Sequence, residues 1–429
     1  MIDRFVVVGL RRSGLAAADA IRRMRPDAVI RGTDPGAGVD VARLEAAGVE
    51  YLPGDADVPI DDATALVKSP GVPGEAAIVE RARAAGVPVW SEVELAYRLL
   101  DEPRIVGVTG TNGKSTTTEL IGAMLREGLD GPVEVAGNIG RALTELPGRV
   151  AADAWIVCEL SSFQLEDIDT FRVRVGVVLN VTPDHLDRHG TMERYLACKL
   201  RLFENQTAED TAVLNGDDPL LAAAELPGRG RRVLFHRRQS DRVDWEHSGI
   251  RGQHNLENAL AAAAAAEAVG VDRAARDRAL RAFRAPPHRL EEVAVRADGV
   301  RFVNDSKATN PEAAVMALTA FEGGVHLILG GSLKGGSFAA LAAAVARGPV
   351  VATYLIGQAA GEIAAALDAA GVTYHRAGDV ETAVAQAAGA ARPGETVLLS
   401  PACASFDQFR DFEHRGERFR ELAREVAGG

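Results

Sequence analysis

Five lysines stand among the 48 basic residues of this chain: Lys68, Lys114, Lys199, Lys307 and Lys334. Arginine fills nearly every other cationic position, so a lysine that persists asks for a chemical reason. Lysine can lose its proton and react as an amine, whereas guanidinium stays protonated in proteins. Lys114 lies in GVTGTNGKSTTTEL, which reads as a strand, a glycine-rich turn and the start of a helix. Such a turn predicts a phosphate cradle. Amides at the helix N-terminus face an anion, the lysine reaches the outer phosphates, and the Ser115 hydroxyl binds Mg²⁺. Val108 occupies the first glycine position of the strict GxxxxGK[ST] pattern, while Gly110, Gly113, Lys114 and Ser115 remain.

Two neighbouring strands end on groups that suit the same crevice. AWIVCEL closes on Glu159 and runs into SSFQLE, and VRVGVVLNV runs into TPDHLDRHG, with His185 just beyond. Ligands of open parallel sheets sit outside the carboxyl ends of the strands, so these groups should converge with the loop. A carboxylate and an imidazole beside phosphates predict Mg²⁺ ligands, imidazole being the less usual for a hard cation. Taken alone, His185 reads as a helix cap or a solvated side chain; beside the loop it reads as a ligand. Lys199 lies in MERYLACKLRLFE, a helical stretch long enough to fold back over the crevice. Mg²⁺ would repel its ammonium and lower a pKa that is ~10.4 in water. The neutral amine can take up CO₂ as a carbamate, an anionic oxygen ligand closed to arginine. The expectation is that Lys199 is carbamylated and helps hold a second Mg²⁺.

The elements needed to position these groups are legible as alternation. Short β-branched runs alternate with Ala/Arg-rich helical stretches, the pattern of parallel α/β sheets. The first block opens with RFVVVGL (Arg4–Leu10) and a helix from about Leu15, and ends near SEVELAYRLL. The second begins at PRIVGVTG (Pro103–Gly110) and runs to a helix over Asn255–Val269; the pair Pro286–Pro287 then marks a linker. In the third, VRFVND, VHLILGG, VATYLIG and ETVLLSP read as strands with accompanying helices.

Composition narrows the class. With 429 residues, 47% of them hydrophobic, and 25% charged, the chain is an ordinary globular protein of several domains. A net charge of −12 without a basic run argues against nucleic-acid partners. The three cysteines, Cys158, Cys198 and Cys403, lack CxxC spacing and suit reduced thiols. MIDRFVVVGL breaks at once into arginines and the alanine-rich stretch 259–268 is too short for a bilayer, so a cytoplasmic chain without membrane association is expected. A monomer is the default.

Taken together, GTNGKS, the Glu159 strand end, DHLDRH, GQHNLENA, PPHRLE and NDSKATN resemble, in this order, the motifs of the Mur ligase family, ATP-dependent amide-forming enzymes of peptidoglycan synthesis. SSFQLE, DSKATN and SPACASFDQF are similar to the branch that adds glutamate, and SPACASFDQF favours the D enantiomer. The resemblance covers essentially the whole chain. It implies an α/β fold of three domains: an N-terminal Rossmann-like UDP-binding domain (1–93), a central P-loop ATPase-like domain with a mostly parallel sheet (94–286) and a C-terminal Rossmann-like domain for glutamate (287–429). It implies ATP as co-substrate with two Mg²⁺, and UDP-N-acetylmuramoyl-L-alanine and glutamate as the partners joined. By resemblance, Gly110, Thr111, Asn112, Gly113, Lys114, Ser115 and Thr116 hold the ATP phosphates, with Asn258, Arg289 and Asp305 as further ATP contacts and Asn255 a weaker one. Ser115, Glu159, His185 and carbamylated Lys199 surround the metals, and Lys114, His185 and Lys199 are the catalytic set. Thr309, Lys334, Ser405, Phe406 and Phe412 match the glutamate pocket. Arg12, Ser13, Asp34, Gly71 and Asn138 are the candidates for the UDP-linked substrate.

The chain departs from the pattern in places. GLRRSG (Gly9–Gly14) has Arg11 where a dinucleotide fingerprint has its middle glycine, which argues against a dehydrogenase. Pro35 and Gly36 follow Asp34 where the family often has threonine and arginine, and Phe406 stands where a smaller apolar residue is common. The competing readings are the same chemistry with L-glutamate, a folylpolyglutamate-type synthetase, a sister ligase adding a diamino acid, and a non-catalytic nucleotide-binding partner. The glutamate motifs disfavour the second and third, and the intact middle block disfavours the last.

Overall fold

The computed structural model describes residues 2–428 apart from 35–38, 56, 139, 251, 285–286 and 334–336. Seventeen strands among the described residues form three sheets. β1 (Arg4–Val8), β2 (Val29–Thr33), β3 (Val49–Tyr51), β4 (Ala65–Lys68) and β5 (Val89–Ser91) make an all-parallel sheet in the order β3-β2-β1-β4-β5. β6 (Arg104–Thr109), β7 (Val133–Gly137), β8 (Trp155–Glu159), β9 (Val175–Val178), β10 (Thr211–Asn215) and β11 (Arg231–Phe235) make a second parallel sheet, ordered β11-β10-β9-β6-β8-β7. The third holds β12 (Glu291–Val295), β13 (Arg301–Asn304), β14 (Val325–Gly330), β15 (Val350–Ile356), β16 (His375–Gly378) and β17 (Thr396–Leu399), ordered β12-β13-β17-β14-β15-β16.

Strands covered on both faces read as continuous apolar runs, and RIVGVT and VGVV do so, buried at every position after Arg104. Ile105, Val106 and Val108 of β6 are wholly buried. Each contributes about 1.5–3 kcal/mol by leaving water, so the strand beneath the glycine loop is a firm platform. Its place between β8 and β9 also matters: the loop leaves the sheet between the strand ending on Glu159 and the strand leading to His185.

The expected α/β alternation is present, with one addition. β12 and β13 pair antiparallel through the turn at Gly299, whose φ is +88°. The Asp298-Gly299 pair is the local hairpin signal there, and it is easily overlooked in the sequence because the flanking strands are short. The expected helix over 255–269 begins two residues earlier, as Gln253–Val269, and the helix expected from Leu15 begins at Arg12. The chain divides into two compact units, Met1–Glu246 with Glu257–Arg281, and His247–Leu256 with Ala282–Gly429. The first unit holds two sheets and the second holds one. Among the described residues, no helix is long and apolar enough to cross a membrane.

Candidate functional site

The glycine loop follows β6, and Gly113 caps the helix Lys114–Gly128 in the left-handed region at φ +83°. Glycine is required twice over. A side chain there would be strained, and its Cβ would stand 2.2 Å from Oδ1 of Asn258. Asn258, expected as an ATP contact, rests directly on the turn. Asn180, which no sequence motif marks, fastens the loop from below. Its Oδ1 accepts from the amides of Thr111 (3.1 Å) and Asn112 (2.8 Å), and its Nδ2 donates to the Asn112 carbonyl at 3.1 Å. The one signal for it is an amide side chain at the end of VVLN, just beyond an otherwise apolar run. Thr111 Oγ1 donates to Thr182 O at 3.2 Å, and Ser115 and Thr116 are buried at the helix start.

Two lysines converge on this loop. Lys114 Nζ donates to the carbonyls of Gly110 (2.9 Å) and Thr111 (2.7 Å), and Lys199 Nζ donates to the same Gly110 oxygen at 2.8 Å. Lys199 is 1% exposed, and its Nζ lies 4.4 Å from the centre of the Tyr195 ring. Burial first, and then the Lys114 ammonium, push its pKa well below that of an ordinary lysine. The amine that the sequence singles out is the one the fold makes readily neutral.

Glu159 ends β8 nearly buried, at 2% exposure. Its Oε1 accepts from Asn138 Nδ2 at 3.1 Å, whereas the buried Oε2 has no hydrogen-bond partner. An unsatisfied buried carboxylate oxygen is costly unless something cationic completes it. His185 adopts a left-handed conformation, φ +53°, and caps the short helix Leu186–His189. Its ring sits edge-on to Phe163 at 4.9 Å, and Nε2 is 3.5 Å from Asp184. Strain at a β-carbon-bearing residue of this kind is retained where the side chain has to point a particular way. Among the described residues, no three His, Cys, Asp or Glu side chains gather as a metal cage. A hard cation at this loop would instead draw on the Ser115 hydroxyl, Glu159, His185 and phosphate oxygens.

In the first sheet, Asp34 follows β2, and its Oδ2 accepts from the Leu10 amide at 2.7 Å, which fixes the turn after β1. Arg12 and Ser13 open the helix Arg12–Met24, and the Arg12 guanidinium donates to the Gly140 carbonyl. Gly71 and Asn138 are exposed.

The second unit carries the remaining candidates. Asp305 follows β13 and is buried, accepting from Ser400 Oγ (2.8 Å) and the Leu290 amide (3.2 Å). Burial raises its pKa to about 7, against weaker opposition from these hydrogen bonds and from Arg289. Its carboxylate thus braces the 288–290 turn, where His288 and Leu290 both have positive φ. Thr309 is half-buried, Ser405 is buried and Phe406 is 71% exposed. Phe412 opens the last helix, with Lys307 Nζ 3.8 Å from its ring centre. Lys334 lies outside the described residues. The residue that sequence reasoning misses here is Arg415, wholly buried, which donates to Ser306 Oγ (2.9 Å) and to the carbonyls of Ser306 (2.8 Å), Ala404 (3.2 Å) and Cys403 (3.1 Å). It ties the last helix to the loops that carry Thr309 and Ser405, and in sequence it looks like any other helical arginine.

Comparison with known proteins accords with this geometry. Residues 108–245 match the model of the Mur ligase middle domain, and 288–403 that of the Mur ligase glutamate ligase domain. A protein of Solibacter usitatus named UDP-N-acetylmuramoylalanine–D-glutamate ligase is 44% identical, over 98% of this chain and 97% of its own. One of the same name from Pelotomaculum thermopropionicum is also 44% identical, over 99% and 98%. Among solved structures, the MurF ligase of Thermotoga maritima in complex with ADP aligns with a TM-score of 0.63 at 18% identity, over 100% of this chain and 96% of that one. MurF of Acinetobacter baumannii aligns at 0.61 and 16%, over 97% and 93%.

Proposed function

This chain belongs to the Mur ligase family, and on that premise we propose that it joins D-glutamate to UDP-N-acetylmuramoyl-L-alanine at the expense of ATP. The observation that carries the reading is the cluster around the glycine loop: a phosphate cradle, a buried Glu159 oxygen lacking a partner and a buried amine, Lys199, held on the same loop. The names of the relatives supply the substrates and the handedness of the glutamate, and they favour neither a folate-type synthetase nor an L-glutamate enzyme.

A carboxylate is a poor electrophile. In the proposed reaction an L-alanine carboxylate oxygen bonds to the terminal phosphorus of ATP, the P–O bond to the departing ADP breaks, and an acyl phosphate results. The glutamate amine attacks the acyl carbon, the C–N bond forms, the C–O bond to phosphate breaks and the amine proton is lost. The loop amides and Lys114 hold the ATP phosphates, and one such preorganised group can contribute ~10²–10³ in rate. Burial eases loss of the Lys199 ammonium proton; the neutral amine then adds through its lone pair to CO₂ and releases a second proton, leaving an anion where a cation stood. The partnerless Glu159 oxygen fits a cation, so Ser115, Glu159, His185 and carbamylated Lys199 are the residues that would hold two Mg²⁺. When bound, the Mg²⁺ would neutralise the gathered oxyanions. Asn258, Arg289 and Asp305 are the further ATP contacts that membership of the family suggests. Arg12, Ser13, Asp34, Gly71 and Asn138 take the UDP-linked substrate, while Thr309, Lys334, Ser405, Phe406 and Phe412 take glutamate. Domain limits at 93 and 286 give one sheet to each of the three tasks.

The test is phosphate release from ATP with UDP-N-acetylmuramoyl-L-alanine and each glutamate enantiomer, with hydroxylamine present to trap the acyl phosphate. Release with D-glutamate and a trapped hydroxamate are expected. No release with either enantiomer defeats the reading, and product without any trapped hydroxamate defeats the acyl-phosphate route.

A further inference from the structure

No sequence motif gives Lys68 a role, and the fold gives it an unusual position. It is the last residue of β4, its side chain is entirely buried, and its Nζ meets Glu166 Oε2 at 3.1 Å, Asp167 Oδ2 at 2.8 Å and Val72 O at 3.3 Å. The ammonium donates to Glu166 and to the Val72 carbonyl and is ion-paired with Asp167, so two carboxylates compensate one buried charge. The glutamate is shared. Arg188 Nη2 also meets Glu166 Oε2, at 2.6 Å, and the same guanidinium donates to the carbonyls of Pro70 (3.2 Å) and Val72 (3.0 Å). Arg188 then lies over the Phe163 ring at 4.6 Å, and Phe163 is the ring against which His185 stands. Asp167 is held further by Arg83 at 2.8 Å.

One buried cluster thus grips both the turn after β4, which contains Gly71, and the short helix that His185 caps. We propose that Lys68 is a positioning residue that, through Glu166 and Arg188, sets the 69–72 turn for the UDP-linked substrate and holds the His185 segment in register with it. The proposal rests on the ligase reading for the identity of that substrate, but not for the mechanical link. Removing the ammonium leaves two adjacent carboxylates facing Arg188, Arg83 and the His189 ring, 3.9 Å from Glu166. Arg188 would then be drawn fully onto them and away from Pro70 and Val72.

The experiment compares the wild type with Lys68→Met and with Glu166→Gln, which keeps the shape of its side chain and serves if the methionine variant fails to fold. Hydrogen exchange on the full chain without substrates is read first. Faster exchange confined to the segments around 69–74 and 183–190 supports the link whether or not the chain proves to be a ligase. Unchanged exchange at both segments, or a uniform rise across the chain, overturns it. Steady-state kinetics are read second. The KM for UDP-N-acetylmuramoyl-L-alanine should rise ~10-fold or more, with the KM for ATP changing less than about twofold, since small displacements of positioning groups cost up to ~10². The two substitutions together should cost no more than the worse one alone. Equal changes in both KM values, or additive effects, would mean that Lys68 only stabilises the fold. A wild type without ligase activity would sink the functional reading and leave the exchange result to decide the link.

Discussion

Lys68 and Lys199 are each 1% exposed and share a side chain, yet their surroundings are opposite. Lys68 has two carboxylates within 3.1 Å. Lys199 has one carbonyl, the face of a tyrosine and a second ammonium bound to the same oxygen. Burial penalises both cations, and the neighbours decide between clamp and nucleophile. Where carboxylates compensate, the charge becomes a clamp. Where another cation sits close by, loss of the proton becomes easier. The same fold therefore places two lysines at equal depth in opposite electrostatic surroundings.

The sharpest way to break this contrast is to put arginine at the second position. Lys199→Arg keeps a cation of similar reach but cannot form a carbamate, so turnover should fall by ~10³-fold or more, the scale of losing a preorganised charge at a reaction centre. Lys199→Ala should be equally inactive and partly restored by millimolar acetate or formate, which can occupy the vacant anionic position. An arginine variant with near-normal turnover would end the carbamate hypothesis, whereas a dead alanine variant that no carboxylate restores would reassign Lys199 to packing. A direct measurement is ¹³C NMR of protein equilibrated with labelled bicarbonate, with a carbamate signal present in the wild type and missing in both variants.

These two lysines also show what the chain displays openly and what it hides. The glycine loop, Glu159 and His185 could be placed because each lies at the end of a β-branched run, and parallel sheets bring such ends together. Lys199 stands out by residue type alone, a lysine kept where arginine is the habit. The Lys68 cluster could not be read, because Glu166 and Asp167 are roughly a hundred positions away and nothing local links them to KSPGV. Asn180 and Arg415 are hidden for a related reason: amide and guanidinium side chains look polar and expendable until the backbone groups they satisfy are known. Asp305 is marked by NDSKATN, but its part in holding the 288–290 turn appears only once Ser400 and Leu290 are seen to donate to it.

A second pair extends the contrast to carboxylates. Glu92 and Glu94 lie on one helix, Glu92–Leu99, and both are buried. Burial would raise the pKa of Glu94, but it accepts from the amides of Asp169, Thr170 and Phe171, from the Thr170 hydroxyl and from Arg98, and together these hold it below the usual carboxylate range. Glu94→Ala strands three amides at once. A stability loss of ~3–5 kcal/mol is expected, as for breaking a buried charged network, and denaturant titration would measure it. A loss below ~1 kcal/mol, no more than an ordinary hydrogen bond, would show that the 169–171 turn finds other partners.

Glu92 is the counterpart, and its effect is smaller. Burial raises its pKa to about 7; the 2.7 Å hydrogen bond from Gln164 Nε2 opposes this only in part, and Oε2 has no hydrogen-bond partner. In the unfolded chain the group titrates near ~4.3. Between those two values the folded state binds the extra proton, so stability must fall as pH rises through that window. The contribution is fully present below pH ~4 and gone above about 7. Glu92→Gln keeps the shape and stays neutral throughout, so its melting temperature should fall less than that of the wild type between about pH 5 and 7.5, and the two curves should separate most at the upper end. Parallel curves would mean that the nearby Lys68 ammonium already stabilises an ionised Glu92. In that case the carboxylate belongs with the clamp, and the boundary between the charged cluster and the neutral one has to be redrawn on the Gln164 side of the helix.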